Sequence, residues 1–248
     1  MITRFLSVLA WILIGILTVL WVLLILIAYL VSPILDPRRR VAHGLASAWG
    51  RNLVLMAPGC RVQVFGRGHI PVGQPVILMA NHQSYADIPV LYFLRCQFKW
   101  MADVGLFRIP FFGWAMAMAG YIPVNRGNPR AALRSLEQAK EFLSKGMSIF
   151  VFPEGTRSHT GLFGRFQTGG FRLAVTAQIP IVPIVLVGTR QLLPRDSWMF
   201  RPGVRLQIHV LPPVLPAGSD PKEVRKLAGR VRSDMKRAYH QHLKEFFQ

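Results

Sequence analysis

Hydrophobic residues run almost unbroken from position 5 to position 31, with Ser7, Gly15 and Thr18 as mild interruptions. As a helix these 27 residues rise about 40 Å, more than the roughly 30 Å hydrocarbon core of a bilayer. A secretory signal has a shorter apolar region and a small-x-small cleavage site, and neither fits, so the segment reads as a retained membrane anchor. Arg38, Arg39 and Arg40 follow it, against a lone Arg4 before it, a bias that puts the rest of the chain on the cytoplasmic side. A tilted span and a deeply embedded hairpin both fit this pattern. The next apolar segment, 45–57, carries Leu45, Trp49, Leu53, Val54 and Met56 around a central Arg51. It is too short to span comfortably and fits either an interfacial return helix or an ordinary core helix.

Pro58-Gly59 closes that region and divides the chain into an N-terminal anchor, 1–58, and a globular domain, 59–248. In the domain, 62–65 alternates like a strand and turns at Gly66-Arg67-Gly68, which lacks the third glycine and following helix of a dinucleotide fingerprint. A buried strand at 76–80 opens into a loop and a helix running to about 94, with a short strand at 98–101. The stretch 106–118 is unusually apolar, fitting core or a second membrane-facing surface. A strand at 121–124 follows. Asn128-Pro129 caps a helix whose stripe is Leu133, Leu136, Ala139 and Leu143, stopped by Gly146. A strand at 148–152, a helix at 168–177 and a strand at 181–187 complete the alternation. The pattern predicts an α/β fold: a mixed, largely parallel central sheet flanked by helices, with an N-terminal membrane-anchoring helix or two-helix motif. In such sheets ligands bind outside the carboxyl ends of the strands. The loops at His82, Arg126 and 154–157 each follow directly on a strand, so strands running the same way bring all three to one crevice.

The tail, 221–248, has two faces. Val224, Leu227, Val231, Met235, Ala238, Tyr239 and Phe246 lie on one, and Lys222, Arg225, Lys226, Arg230, Arg232, Lys236, Arg237 and Lys244 on the other. Such a helix docks its basic face on anionic headgroups or an acidic carrier protein, or packs its apolar face on the sheet and leaves the basic face solvated.

Composition sharpens this reading. A net charge of +19 calls for an anionic partner: nucleic acid, a membrane surface or a phosphorylated substrate. No nucleic-acid module signature is present, so no nucleic-acid partner is expected. Cys60 and Cys96 show neither a disulfide framework nor metal spacing, and no zinc-ligand cluster occurs elsewhere, so no metal is expected.

The chemistry concentrates in Asn81-His82-Gln83-Ser84-Tyr85-Ala86-Asp87. An imidazole can take a hydroxyl proton, and a carboxylate on its other nitrogen fixes tautomer and orientation. His82 in the loop and Asp87 in the first helical turn can meet, giving the base and orienter of a hydrolase triad without its nucleophile. Arg126 and Arg157 are permanent cations with forked donors suited to a phosphate monoester, or partners in surface ion pairs. Glu154 can accept from hydroxyls and Gly155 permits close backbone approach, although Pro153-Glu154-Gly155 also reads as a plain turn. Together these groups suit activation of a hydroxyl on a phosphorylated, lipid-like acceptor at a membrane.

The His82 block, Tyr121-Ile122-Pro123-Val124-Asn125-Arg126, Phe152-Pro153-Glu154-Gly155-Thr156-Arg157-Ser158 and Ile179-Pro180-Ile181-Val182-Pro183 resemble, in order and spacing, the four blocks of the glycerolipid acyltransferase family. The resemblance covers about 62–210, and the N-terminal anchor is typical of bacterial members. It implies transfer of a fatty acyl group from acyl-carrier protein or acyl-CoA, as co-substrate, to the 2-hydroxyl of lysophosphatidic acid, with no further cofactor. It also implies His82 as general base, Asp87 as its orienter, and Arg126, Glu154, Gly155, Thr156 and Arg157 as acceptor-binding. By the same resemblance the enzyme belongs to the bacterial inner membrane, in contact with membrane lipids, its catalytic domain on the cytoplasmic face. One departure stands out. Where many members carry lysines in a Phe-Lys-Lys-Gly-like element, this chain has Phe166-Gln167-Thr168-Gly169-Gly170, and the lost cation returns only if Arg165 or Arg172 replaces it. An acceptor such as a lyso-ornithine lipid is the alternative that this raises. A membrane-anchored lipid hydrolase would use the same pair but needs a nucleophile; no Gly-x-Ser-x-Gly elbow is present and Ser84 lies too near His82.

Overall fold

The computed structural model describes residues 2–31 and 36–247; Gln248, at the end of the expected tail helix, lies outside them. Among these residues the strands form one seven-stranded sheet ordered β1-β7-β6-β2-β5-β3-β4, with the uniformly apolar β2 and β6 at its centre. Its members are β1 (Arg61–Phe65), β2 (Ile77–Ala80), β3 (Phe98–Asp103), β4 (Ile122–Val124), β5 (Ser148–Val151), β6 (Ile181–Val187) and β7 (Arg205–Val210). β2 pairs parallel with β5 and β6, and β3 parallel with β5 and β4. β7 runs antiparallel to β6 and carries β1 parallel beside it. The sheet is therefore mixed and largely parallel, and β2, β4 and β5 release their loops on the same edge.

Successive strand residues point to opposite faces, and the sheet accordingly separates two cores. Leu78, Trp100, Phe150, Ile184 and Ile208 pack toward one side, while Ile77, Met79, Ile149, Val185 and Val187 pack toward the other. The first side is covered by α2 (Arg40–Leu55), the short α3 (Asp87–Leu91) and α4 (Phe112–Met118), with α1 (Ile2–Val31) outside them. The second is covered by α5 (Pro129–Ser144), α6 (Gly169–Ala177) and α8 (Pro221–Phe247). The single turn α7 (Thr189–Leu192) follows β6.

α1 is, among the described residues, the one helix long and apolar enough to cross a membrane, with mean hydropathy 2.9 within Arg4–Val31. It does not stand away from the domain. Phe200 N donates to Ser7 Oγ at 3.1 Å, Trp11 Nε1 to Trp198 O at 2.7 Å, and Trp49 Nε1 to Thr18 Oγ1 at 3.2 Å. Near its end, the Arg39 guanidinium lies 5.2 Å from the Tyr29 ring centre. Contacts that advance along α1 while receding along α2 make the two an antiparallel pair, the two-helix form of the expected motif.

α2 buries Ala42, His43, Ala46 and Gly50 and leaves Val41, Leu55 and Met56 exposed, so it is a core helix with an apolar outer side. Gly50 is where α2 comes closest to the domain: a Cβ there would stand 2.4 Å from Tyr92 Cδ2. The apolar stretch 106–118 likewise divides. Met116 is buried, while Ile109, Phe111 and Trp114 stay exposed beside α1. For the tail, the structure selects inward packing. Val224, Leu227, Val231, Met235 and Tyr239 of α8 are buried against the sheet, on the face opposite to α1.

Candidate active site

Strand β2 ends at Ala80, and the loop behind it is fixed by its own side chains. Asn81 pairs with the backbone of Leu186 as a neighbouring strand would, its Nδ2 donating to the carbonyl at 3.1 Å and its Oδ1 accepting the amide at 2.8 Å. Asp87, wholly buried in the first turn of α3, turns one oxygen back on the loop. Its Oδ2 accepts from His82 Nδ1 at 2.7 Å, Gln83 N at 2.7 Å and Ser84 N at 2.9 Å. Nδ1 thereby carries the proton in the neutral ring, and Nε2 is the nitrogen left for chemistry. The imidazole lies flat on Phe152, the residue after β5, with ring centroids 3.9 Å apart at 11°.

The loop after β5 supplies the rest. Gly155 sits at φ +77°, and an added Cβ would meet Arg126 Nη1 at 3.2 Å. Arg126, arriving from the end of β4, donates to Gly155 O. The Arg157 guanidinium covers the exposed Tyr85 ring at 3.6 Å, and its Nη1 donates to Arg195 O at 3.3 Å. Ser158 N closes the crevice by donating to His82 O at 2.7 Å.

His82, Arg126, Gly155, Thr156 and Arg157 all line one cavity of about 420 Å³. The three loops expected to converge do so. Away from them the cavity becomes apolar, passing Phe152, Trp100 and Ile88 to Trp21, Val22 and Ile25 of α1. Helices α1 and α2 thus build one wall of the site.

One site residue stands elsewhere than the sequence-based expectation put it. Glu154 is not at the cavity surface but buried behind it: Oε1 accepts the His82 amide at 3.1 Å and Oε2 the Gly164 amide at 2.8 Å. Both oxygens are engaged by backbone, so the carboxylate holds the loop rather than a substrate hydroxyl. Burial raises its pKa above the ordinary value, opposed by the Gly164 and His82 amides. The Gly155 amide is also engaged, donating to Phe152 O at 3.0 Å within the turn. Gln167, standing at the lysine-bearing element, donates its backbone N–H to Pro153 O at 2.7 Å, and neither Arg165 nor Arg172 lines the cavity. Ser84 is fully buried with Oγ donating to Leu193 O at 2.6 Å, which removes it as a nucleophile. Among the described residues no three His, Cys, Asp or Glu side chains gather as a metal site.

The inner wall contains a chain of hydrogen bonds that sequence reading did not find. His43 Nε2 lies 3.1 Å from Cys96 O and must donate, so Nδ1 accepts from Tyr121 Oη at 3.0 Å. With that proton committed, Tyr92 Oη donates to Tyr121 Oη at 3.2 Å and itself accepts from Trp100 Nε1 at 3.0 Å. Burial, followed by the charge of Lys99, lowers the His43 pKa to about 3 and keeps the ring neutral. Both His43 ring nitrogens, the Tyr92 and Tyr121 hydroxyls and the Trp100 indole N–H therefore all have partners in this wall.

Comparison with known proteins gives a consistent family. The acyltransferase family model matches residues 61–187. A 1-acyl-sn-glycerol-3-phosphate acyltransferase of Pseudomonas aeruginosa is 33% identical over 212 residues, covering 83% of this chain and 80% of the relative. A chloroplast enzyme of the same name from Arabidopsis thaliana is 36% identical over 185 residues, 74% of this chain and 51% of the relative. The chain spans about half the length of the plant relatives it matches. The crystal structure of the 1-acyl-sn-glycerophosphate (LPA) acyltransferase of Thermotoga maritima superposes with a TM-score of 0.80 at 26% identity, covering 96% of this chain and 95% of that one.

Proposed function

The chain belongs to the acyltransferase family, and on that premise we propose that it transfers a fatty acyl group from a thioester donor to the 2-hydroxyl of 1-acyl-sn-glycerol-3-phosphate, giving phosphatidic acid. The observation that carries this reading is the composition of one cavity. A His–Asp pair and two guanidinium groups stand at its polar end, and an apolar channel walled by the anchor helices leads away from them. The names of the Pseudomonas and Arabidopsis relatives support the same acceptor. Arg126 and Arg157 are the Lys and Arg residues lining the cavity among those described, a pair of positive charges matched to a phosphate monoester.

The reaction follows from the geometry. His82 Nε2 takes the proton of the acceptor hydroxyl as its oxygen attacks the thioester carbonyl, and Asp87 stabilises the imidazolium that forms. The tetrahedral intermediate collapses, the C–S bond breaks, and the imidazolium returns the proton to the departing thiolate. The new ester stays in the lipid and the carrier leaves as a thiol. With Ser84 buried and bonded, direct transfer between the substrates accounts for the pair without an acyl-enzyme.

Membrane attachment follows from α1. Because Ser7 and Trp11 bond the 198–200 segment of the domain and Val22 and Ile25 line its cavity, with Thr18 and Tyr29 held by α2 and its cap, a helix spanning the bilayer would carry the domain into it. We read the α1–α2 pair as embedded from one side, with exposed Ile109, Phe111 and Trp114 beside it in the interfacial layer. Arg38, Arg39 and Arg40 favour the cytoplasmic face of a bacterial inner membrane.

The test is product formation by detergent-purified protein. Acyl-carrier protein and CoA thioesters are offered with a panel of lyso-lipids, lyso-ornithine lipid included, and products are identified by mass spectrometry. Phosphatidic acid formed only with the phosphorylated glycerol acceptor is expected. Release of free fatty acid without any acceptor would make the chain a hydrolase and end the proposal.

A further inference from the structure

The C-terminal helix α8 contributes no residue to the cavity, yet two of its side chains end on the segments that hold His82. Tyr239 Oη accepts from Gln83 Nε2 at 2.9 Å, and the second proton of that amide goes to Gly161 O at 2.9 Å. Gln83 is buried, so its carboxamide has no water to exchange for these partners. Its backbone N–H is one of the three donors on Asp87 Oδ2. One residue is thus gripped from α8 by its side chain and orients the His82 partner by its main chain.

Seven residues and two turns earlier, Arg232 stands on the Tyr239 side of α8, not on the solvated basic face expected from the sequence: its Nε donates to Gly164 O at 3.0 Å and its Nη2 to Phe163 O at 3.3 Å. The amide of Gly164 bonds Glu154 Oε2, and Glu154 Oε1 bonds the amide of His82. Phe163 fills the space between the two grips, edge-on to Tyr239 with centroids 5.4 Å apart. Two short hydrogen-bonded routes therefore run from one helix to the two halves of the catalytic pair. Tyr239 acts through Gln83 on Asp87, and Arg232 through Gly164 and Glu154 on His82.

We propose that Tyr239 and Arg232 are positioning residues for the acyl transfer, α8 serving as the back-plate that holds His82 and Asp87 in register. The proposal rests on the function argued above. A base that must meet a hydroxyl within hydrogen-bond reach is sensitive to small displacements: an error of about 1 Å is enough for roughly 100-fold in rate. Losing either grip lets the loop drift without removing any group that touches a substrate. The effect belongs in kcat, not in the affinity for acceptor or donor.

The experiment uses the full chain in detergent micelles, with Tyr239→Phe, Arg232→Ala and Arg232→Lys. Melting temperature, kcat and KM for each substrate are measured. Carbethoxylation of His82 by diethyl pyrocarbonate, followed by peptide mass spectrometry, reports the imidazole without any need for turnover. Tyr239→Phe and Arg232→Ala should lower kcat by about tenfold or more, leave each KM within about twofold, and speed His82 modification severalfold. Arg232→Lys, which keeps a donor toward Gly164 O, should recover most of the rate. Folded variants with wild-type kcat and unchanged His82 modification would overturn the proposal. So would a fall in kcat matched by an equal rise in KM. A wild-type chain that makes no phosphatidic acid would refute the proposed function instead, and the modification rates would still decide whether α8 holds His82.

Discussion

Glu154 Oε1 accepts the backbone amide of His82 at 3.1 Å, so the two residues meet through main chain and carboxylate, not through a shared substrate. Glutamine at 154 has one oxygen to offer two amides, and the N–H of either His82 or Gly164 would face a donor. A buried N–H left unpaired costs about 1–3 kcal/mol. Glu154→Gln is therefore expected to destabilise the fold by that order and to lower kcat, while KM for the lyso-lipid changes little. Steady-state kinetics decide the matter: a large rise in acceptor KM with kcat preserved would return Glu154 to the binding surface.

His82 and Asp87 are expected to separate in their effects. His82→Ala removes the base and should cost about 10²–10⁴ in rate with a modest fall in melting temperature, since the buried Asp87 Oδ2 loses the imidazole donor but keeps the Gln83 and Ser84 amides. Asp87→Asn can keep an oxygen toward Nδ1, Gln83 N and Ser84 N while losing the charge that steadies the imidazolium. It should fold and turn over slowly. A folded His82→Ala protein with normal turnover would show that another group takes the proton.

Much of this site is legible in the sequence because its parts are local. His82 and Asp87 are five residues apart, and each functional loop follows an apolar strand that announces itself. The parallel order of β2, β5, β3 and β4 then brings the loops together, a consequence that strand–helix alternation already implies. What stays hidden is long-range. Tyr239 reaches Gln83 across 156 positions, and nothing in the apolar stripe of α8 distinguishes a tyrosine that packs from one that also bonds. The same holds for His43, whose partners Tyr121 and Cys96 lie 78 and 53 positions away. Strand β7, absent from the sequence-based expectation, carries the ordinary signal of a half-buried strand, with Leu206, Ile208 and Val210 alternating inward. Glu154 is the instructive case, because a carboxylate after a strand looks the same in sequence whether it faces a ligand or a backbone amide.

Arg157 is expected to govern the acceptor alone. Its guanidinium is stacked on Tyr85 at 3.6 Å and lines the cavity mouth with Arg126. A lysine there keeps the charge but loses the planar fork and the stacking surface. Arg157→Lys should raise KM for the phosphorylated acceptor several-fold while leaving KM for the thioester unchanged. Equal increases for both substrates would mean that this cation does not distinguish acceptor from donor.

The buried His43 makes stability depend on pH in a direction that can be worked out. Its pKa is lowered from 6.5 to about 3 in the folded chain, by burial first and by Lys99 second. Between those values the unfolded chain holds a proton on His43 that the folded chain does not, so stability rises with pH across the window. The contribution is complete above pH 6.5 and is lost as pH falls from 6.5 toward 3, by about 1.4 kcal/mol per pH unit. At pH 5 the loss is about 2 kcal/mol. Glutamine at 43 offers an acceptor to Tyr121 Oη and a donor to Cys96 O without a titrating ring, the same two bonds that His43 makes. Denaturant unfolding of the detergent-solubilised proteins at pH 7.5 and 5 should therefore show a smaller loss for His43→Gln than for wild type. The difference isolates His43, because His209, lowered to about 4 mainly by burial, contributes equally to both proteins. Identical losses would mean that the ring takes up its proton inside the fold, and the hydrogen-bond directions assigned to Tyr121 and Tyr92 would then have to be reversed.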